Sequence, residues 1–290
     1  MKTSELSFSY PESLIATSKA AESRIMLVGS KKPAEISKSE LLKQFRPGDV
    51  LVVNDTRVIK ARVICESGLE VLFIQPLGDM KWEVLCPARR WSKQGEVLPC
   101  GTKLELVETG LPQTVKVGRE LTLDYFEEYG EMPLPPYIQQ MRGERESREG
   151  DDLDYQTAWA MEPGSLAAPT ASLHFSKEDL AELQKLGVIV TSLCLHVGLG
   201  TFLPIHAGEL NDHVMHSEWV SIPEETLDVV MEAKTKKNRV WALGTTVARA
   251  LESWQQGYFE RFEEELKGDT DLFIQPGYEF KVVDVLMTNF

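Results

Sequence analysis

Between Val50 and Val53 four apolar, β-branched or leucine residues run without a break and stop at Asn54 and Asp55. Such a run, closed by turn-forming residues, predicts a buried strand ending in a turn. From Ala61 to Val107 the rhythm changes to short strand-like pieces, ARVICE, LEVLFIQP, KWEVLCP and KLELVE, separated by Gly, Asp and Pro. Closely spaced strands without intervening helices predict a small β-barrel or sandwich. MPLPPYI then takes an extended path and QQMRGERESREGDD reads as a charged link. Beyond it helical and strand periods alternate: KEDLAELQKLG then VIVTSLCLHV, TLDVVMEAKTKKN then RVWAL, TTVARALESWQQ then DLFIQ. That alternation predicts an α/β fold with a mostly parallel sheet. The first fifty residues are expected to pack with the C-terminal sheet. The predicted organisation is therefore a discontinuous α/β domain, residues 1–60 and 147–290, interrupted by an inserted small β-barrel domain, residues 61–146.

Composition sharpens this picture. A chain of 290 residues exceeds what one core usually organises, and 42% hydrophobic with 26% charged residues is ordinary for a folding protein. Thirty-one basic against 45 acidic residues leave a formal charge of −14, which argues against non-specific coating of nucleic acid. Any RNA contact must be local. Candidate patches are Arg89, Arg90 and Lys93 beside Trp91, then Arg142, Arg145 and Arg148, then Lys234, Lys236, Lys237 and Arg239. The start shows no basic leader with an apolar run, and no eighteen apolar residues occur in sequence, so neither secretion nor membrane spanning is expected. Cys65, Cys86, Cys100 and Cys194 form no C-x-x-C pair, which predicts reduced thiols and a cytoplasmic address. Without a heptad run, a monomer is expected.

Open α/β sheets bind ligands beyond the carboxyl ends of their strands. VLVV is followed by NDT, LCLHV by GLGT, RVWAL by GTT and DLFIQ by PGY, four exits predicted to line one edge. Gly244, Thr245 and Thr246 lie between a strand and a helix, as a plain helix cap or as a carboxylate or phosphate site, with Arg249 close to that first turn. Gly198 and Gly200 form only part of a dinucleotide fingerprint. All five histidines follow residue 173, and three are His206, His213 and His216, with Glu218 close behind. In a helix His213 and His216 share a face and suit a metal; in an extended segment His216 and Glu218 share a side and suit acid/base work. His174 and His196 add imidazoles to the same half. Asp55 reads either as a turn residue or as a carboxylate at the sheet edge.

NDTRVIKARV, EMPLPPYI, YQTAWA, GSLAAPTASLHF, LHVGLGTFLP, HVMHSE, GTTVARALES, LFIQPGYEF and VVDVLMTNF occur in that order. In this the chain resembles the S-adenosylmethionine:tRNA ribosyltransferase-isomerases of the queuosine pathway, from Asn54 to Phe290. The resemblance implies transfer and isomerisation of the ribosyl part of S-adenosylmethionine onto 7-aminomethyl-7-deazaguanine at the tRNA wobble position. Epoxyqueuosine would form, with adenine and methionine released. It also implies an α/β domain interrupted by a small β-barrel, no metal and no cofactor, with S-adenosylmethionine as co-substrate and tRNA as partner. By matched motifs His213, His216, Glu218 and Asp55 are the proton-handling candidates. Asn54, Thr56, Tyr155, Gln156, Thr157, Thr170, His174, His196, Thr245, Thr246, Arg249 and Asn289 are the substrate-binding candidates, Tyr155 by stacking on a base.

The sequence departs from the family pattern at several points. It stops at TNF, where the family continues with a histidine-leucine-proline segment, a serine-threonine pair and an apolar helix. Its β module is shorter, and Ser172 and Val285 each replace a common glycine. Two other readings follow: a catalytically idle tRNA-binding relative, and a metal-dependent hydrolase built on His206, His213 and His216.

Overall fold

The strand Val50–Asn54 is apolar at consecutive positions because both of its faces are covered, and all five of its residues are buried. Val50 and Val52 face one core with Leu193, Leu195, Val230, Ala242 and Leu251, whereas Leu51 and Val53 face another with Phe45, Leu183, Trp241 and Leu243. This central position is described by a computed structural model, which covers residues 1–6, 8, 11, 24–29, 32–142, 148, 150–202 and 208–289.

Around that strand a seven-stranded sheet is ordered Glu260–Phe262, Glu265–Thr270, Glu218–Pro223, Ile189–Leu195, Val50–Asn54, Val240–Leu243, Val285–Met287. Helices Glu224–Thr235 and Thr245–Gln255 cover its first face, and Lys38–Leu42 with Lys177–Lys185 cover part of the second. The two N-terminal capping boxes explain where the latter helices begin: Ser37 with Glu40, and Ser176 with Asp179.

The expectation of a mostly parallel sheet needs correction. Among the described residues the last four strands are mutually parallel, but Ile189–Leu195, Glu218–Pro223, Glu265–Thr270 and Glu260–Phe262 pair antiparallel. The sheet is mixed. One of the three antiparallel pairings has a local reason: Glu260–Phe262 and Glu265–Thr270 form a tight hairpin that turns at Glu263, with φ of 56°, leaving no room for a crossover helix. DLFIQ is not a strand either. The fourth parallel strand is Val285–Met287, reached through a turn-rich stretch.

The second seven-stranded sheet is antiparallel throughout and is ordered Gly130–Glu131, Arg62–Ile64, Glu70–Gly78, Lys81–Leu85, Gln113–Val117, Lys103–Glu108, Glu96–Val97. It curls until the Glu66 N–H donates to the Val97 carbonyl at 2.9 Å, drawing its two sides together as in a partly closed barrel. Phe73, Leu98, Leu104, Val115 and Phe126 fill the interior. The two sheets are stitched by Thr56–Val58, which leaves the central strand and pairs in parallel with Glu162–Ser165.

Candidate active site

Parallel register decides which loops meet. Leu193 lies opposite Asn54, Ala242 opposite Val52, and Leu243 opposite Met287, so Asn54–Thr56, His196–Gly198, Gly244–Thr246 and Thr288–Asn289 leave the sheet at one edge. Asn54 ties these exits together. Its side-chain amide donates to the Leu195 carbonyl at 2.9 Å and reaches the Thr246 hydroxyl at 3.4 Å, while its Oδ1 accepts from the N–H groups of Thr56 and Leu195, each at 3.1 Å. Fully buried and fully used, Asn54 is a scaffold residue.

Thr56 and His196 form the next link, with Oγ1 and Nδ1 2.7 Å apart. The imidazole stacks on Trp219 at 4.9 Å, and its Nε2 lies 2.5 Å from where a Cβ on Gly164 would stand, so only glycine fits there. Burial pulls the His196 pKa down to about 4. The unfolded imidazole titrates near 6.5, so as pH falls the unfolded chain takes up a proton that the folded chain refuses. The contribution is fully present above about 6.5 and is lost towards pH 4, by up to about 3 kcal/mol. Asp55 and Glu218, both raised by burial, act in the opposite sense over the acid range. We therefore expect His196→Asn to gain on wild type as pH drops from 7 to 4.5. Urea midpoints that fall in parallel for both proteins would reject this.

Glu218 opens the strand Glu218–Pro223, and Arg249 sits one turn into the helix that begins at Thr245. The two are buried against each other in an ion pair. Glu218 Oε1 also accepts from the Gly198 N–H at 2.9 Å, which joins the GLGT, HSE and GTT motifs in one cluster. Burial lifts the Glu218 carboxyl above its usual range, against the pull of Arg249 and Gly198. Arg249 Nε is buried without a hydrogen-bond partner. His216 is half-buried beside Gly200, where a Cβ would lie 3.5 Å from the histidine Cβ.

The other candidates divide. His174 Nε2 meets Asn289 Oδ1 at 3.1 Å, and Ala171 of the short turn Thr170–His174 approaches Gly244, whose φ is 101°. Thr245 is exposed and Thr246 half-buried at the helix start. Asp55 Oδ2 accepts from the Ser192 hydroxyl at 2.6 Å, while its Oδ1 is buried without a partner. Tyr155 is 7% exposed in a cluster with Val58, Met132, Leu134 and Ile138, and Gln156 clasps the Val58 backbone from both sides, at 2.7 and 3.1 Å. The Thr157 hydroxyl is buried without a partner. His213 packs edge-on against Phe273 at 5.3 Å, in the irregular stretch that precedes the strand Glu218–Pro223. His206 lies outside the described residues. Among those described, no three His, Cys, Asp or Glu side chains gather in a way that could hold a metal ion.

Sequence reasoning passed over Ser192, Trp159 and Trp219. Trp159 donates its indole N–H to the Asn54 carbonyl at 3.0 Å and so pins the YQTAWA motif to the NDT motif. Ser192 was signalled only by alternation, since Ser192, Cys194 and His196 share one face of their strand.

Comparison with known proteins matches the family described as Queuosine biosynthesis protein across residues 3–290. The chain belongs to this family. Three members named S-adenosylmethionine:tRNA ribosyltransferase-isomerase align over all of the chain and 87% of their own lengths. They come from Halothermothrix orenii at 40% identity, and from Trichlorobacter lovleyi and a Sulfurihydrogenibium species at 38% each. A crystal structure of an S-adenosylmethionine tRNA ribosyltransferase from Thermotoga maritima is 27% identical, with a TM-score of 0.49 over 99% of this chain and 84% of that one. In this member of the family no helix among the described residues is long and apolar enough to cross a membrane.

Proposed function

We propose that this chain transfers and isomerises the ribosyl part of S-adenosylmethionine onto 7-aminomethyl-7-deazaguanine at the tRNA wobble position, giving epoxyqueuosine with release of adenine and methionine. The observation that carries the reading is the meeting of motif-bearing strand exits at one sheet edge, around the buried Glu218–Arg249 pair. Such a reaction needs a base for the acidic proton beside the sulfonium, an acid for the departing adenine, and an oriented amine. Glu218 suits the first need, because a carboxylate starved of water is a stronger base. His216, half-buried and two residues away, suits proton exchange with the adenine side. The N–H groups and hydroxyls at Gly244–Thr246, at the start of an eleven-residue helix, suit the methionyl carboxylate.

The same reading divides the chain into the catalytic unit 1–60 with 147–290 and the barrel unit 61–146. It also carries a cytoplasmic monomer that uses no metal or cofactor.

The test is to incubate the protein with S-adenosylmethionine and tRNA bearing the aminomethyl base, and to measure adenine and the modified nucleoside. His216→Ala is expected to slow turnover about 10²-fold while its melting temperature stays close to wild type. Unchanged turnover removes His216 from the proton-handling set. Wild-type protein that binds this tRNA but releases no adenine would instead favour the catalytically idle relative.

A further inference from the structure

The mixed sheet has one face that its helices leave half open. Val220, Ile222 and Leu266 point into the helix-covered core, so Trp219, Ser221, Glu265 and Lys267 must point the other way. Ser192 shares that side, because Val190 on the same strand packs against Leu51 and Val53. Register sets these residues in adjacent rows. Cys194 lies opposite Ser221, Ser221 opposite Lys267, and Pro223 opposite Glu265. Asp55 closes the recess from the central strand through its bond to Ser192, and its main-chain carbonyl accepts from the N–H of Glu162 at 3.2 Å, bringing a third carboxylate close.

Two buried oxygens in this recess have acceptor capacity to spare. The Ser221 hydroxyl, on a residue only 5% exposed, has at most a weak bond to the Glu265 carboxylate, and Asp55 Oδ1 has no hydrogen-bond partner. Lys267 pairs with Glu265 at 2.5 Å and neutralises one of the three carboxylates. A net negative recess with spare acceptors wants a cation that donates hydrogen bonds. A metal ion does not suit it, because the acids do not close round one point. A sulfonium does not either, having no N–H to give.

We propose that this recess binds a primary ammonium group of the substrate, held by Asp55 and Ser221 as acceptors and by Glu162 through charge, with Glu265 already paired to Lys267. The inference rests on the proposed reaction, which offers two such groups: the aminomethyl group of the RNA base and the α-ammonium of S-adenosylmethionine. The Trp219 ring, stacked on His196, walls the recess on the side of the strand exits.

Calorimetric titration of the full chain with two matched ligand pairs tests it. One pair is S-adenosylmethionine and its analogue lacking the α-amino group. The other is an anticodon stem-loop carrying 7-aminomethyl-7-deazaguanine and the same loop carrying 7-methyl-7-deazaguanine. Wild-type protein is expected to prefer the ammonium-bearing member of one pair by about tenfold or more, and that pair names the source. Asp55→Asn should reduce the preference to about threefold or less without weakening the ammonium-free member. Ser221→Ala, which deletes a hydroxyl with at most a weak bond to the Glu265 carboxylate, should lower it with the fold intact. A preference that survives both substitutions, or a wild type that discriminates neither pair, overturns the recess. Adenine release by wild type is scored separately, so an active enzyme without discrimination overturns only the recess, and a discriminating protein without turnover overturns only the reaction.

Discussion

Glu252→Ala should destabilise the fold by about 3–5 kcal/mol, although residue 252, near the end of the GTTVARALES motif, was not among the candidate site residues. Its side chain is completely buried on the helix Thr245–Gln255. Oε1 accepts from the N–H groups of Val282 and Val283 at 2.9 and 3.0 Å, and Oε2 accepts from the Lys281 N–H at 2.9 Å and the Tyr278 hydroxyl at 3.0 Å. One carboxylate thus satisfies three successive backbone donors in a stretch without regular structure. Each buried donor left unpaired costs about 1–3 kcal/mol, and entry of water into the vacated space returns part of the sum. Glu252→Gln keeps one acceptor and turns an amide N–H₂ towards the other donors, so it should fall between alanine and wild type. Urea denaturation decides the matter, and a loss under about 1 kcal/mol would reject the anchoring role. The consequence reaches the candidate site, since the anchored stretch leads into Val285–Met287 and then to Asn289, the partner of His174.

Glu252 also marks where sequence reading ends. A glutamate inside an amphipathic helix reads as a solvent-facing residue, and nothing in the local pattern records that a distant loop folds over it. Periodicity was a sufficient guide where burial is set locally. VLVV became the central strand, the three long helical periods became Lys177–Lys185, Glu224–Thr235 and Thr245–Gln255, and the short alternating pieces became the curled antiparallel sheet. It failed where pairing is set by distant partners. EWVSIP, which alternates only weakly, forms a long antiparallel strand because Ile189–Leu195 and Glu265–Thr270 flank it. DLFIQ has the composition of a strand but pairs with neither sheet.

The site divided in the same way. Motif order brought Asn54, Thr56, His196, Glu218 and Arg249 onto one list, and register brought them to one edge. Their individual duties were not legible, because the Asn54 amide is consumed by the backbone and Tyr155 by an apolar cluster. Ser172, which departs from the family pattern, is fully buried with an unpartnered hydroxyl. That is a cost which a glycine at this position would not carry.

Arg249→Met is expected to lower stability by about 3–5 kcal/mol and to abolish measurable adenine release, and the two losses have separable causes. With the guanidinium gone, Glu218 keeps only the Gly198 N–H in a site that already lifts its pKa, so it must either take a proton or remain an unpaired buried charge. Glu218→Leu alone strands the arginine in the same way. Replacing both together removes both charges at nearly conserved volume, and buried ion pairs exchanged for apolar contacts often leave stability unchanged. The Glu218→Leu/Arg249→Met double substitution should therefore return to within about 1–2 kcal/mol of wild type while turnover stays down by about 10³-fold or more. If the pair served only to hold Gly198 and the helix Thr245–Gln255 in place, restoring the fold would restore activity as well. A double variant with wild-type stability and near wild-type adenine release would thus reduce Glu218 to scaffolding and move the search for the base to His216 and Asp55. A stable double variant without turnover would show that the pair was kept in its dry site for binding or chemistry, since its removal no longer harms the fold.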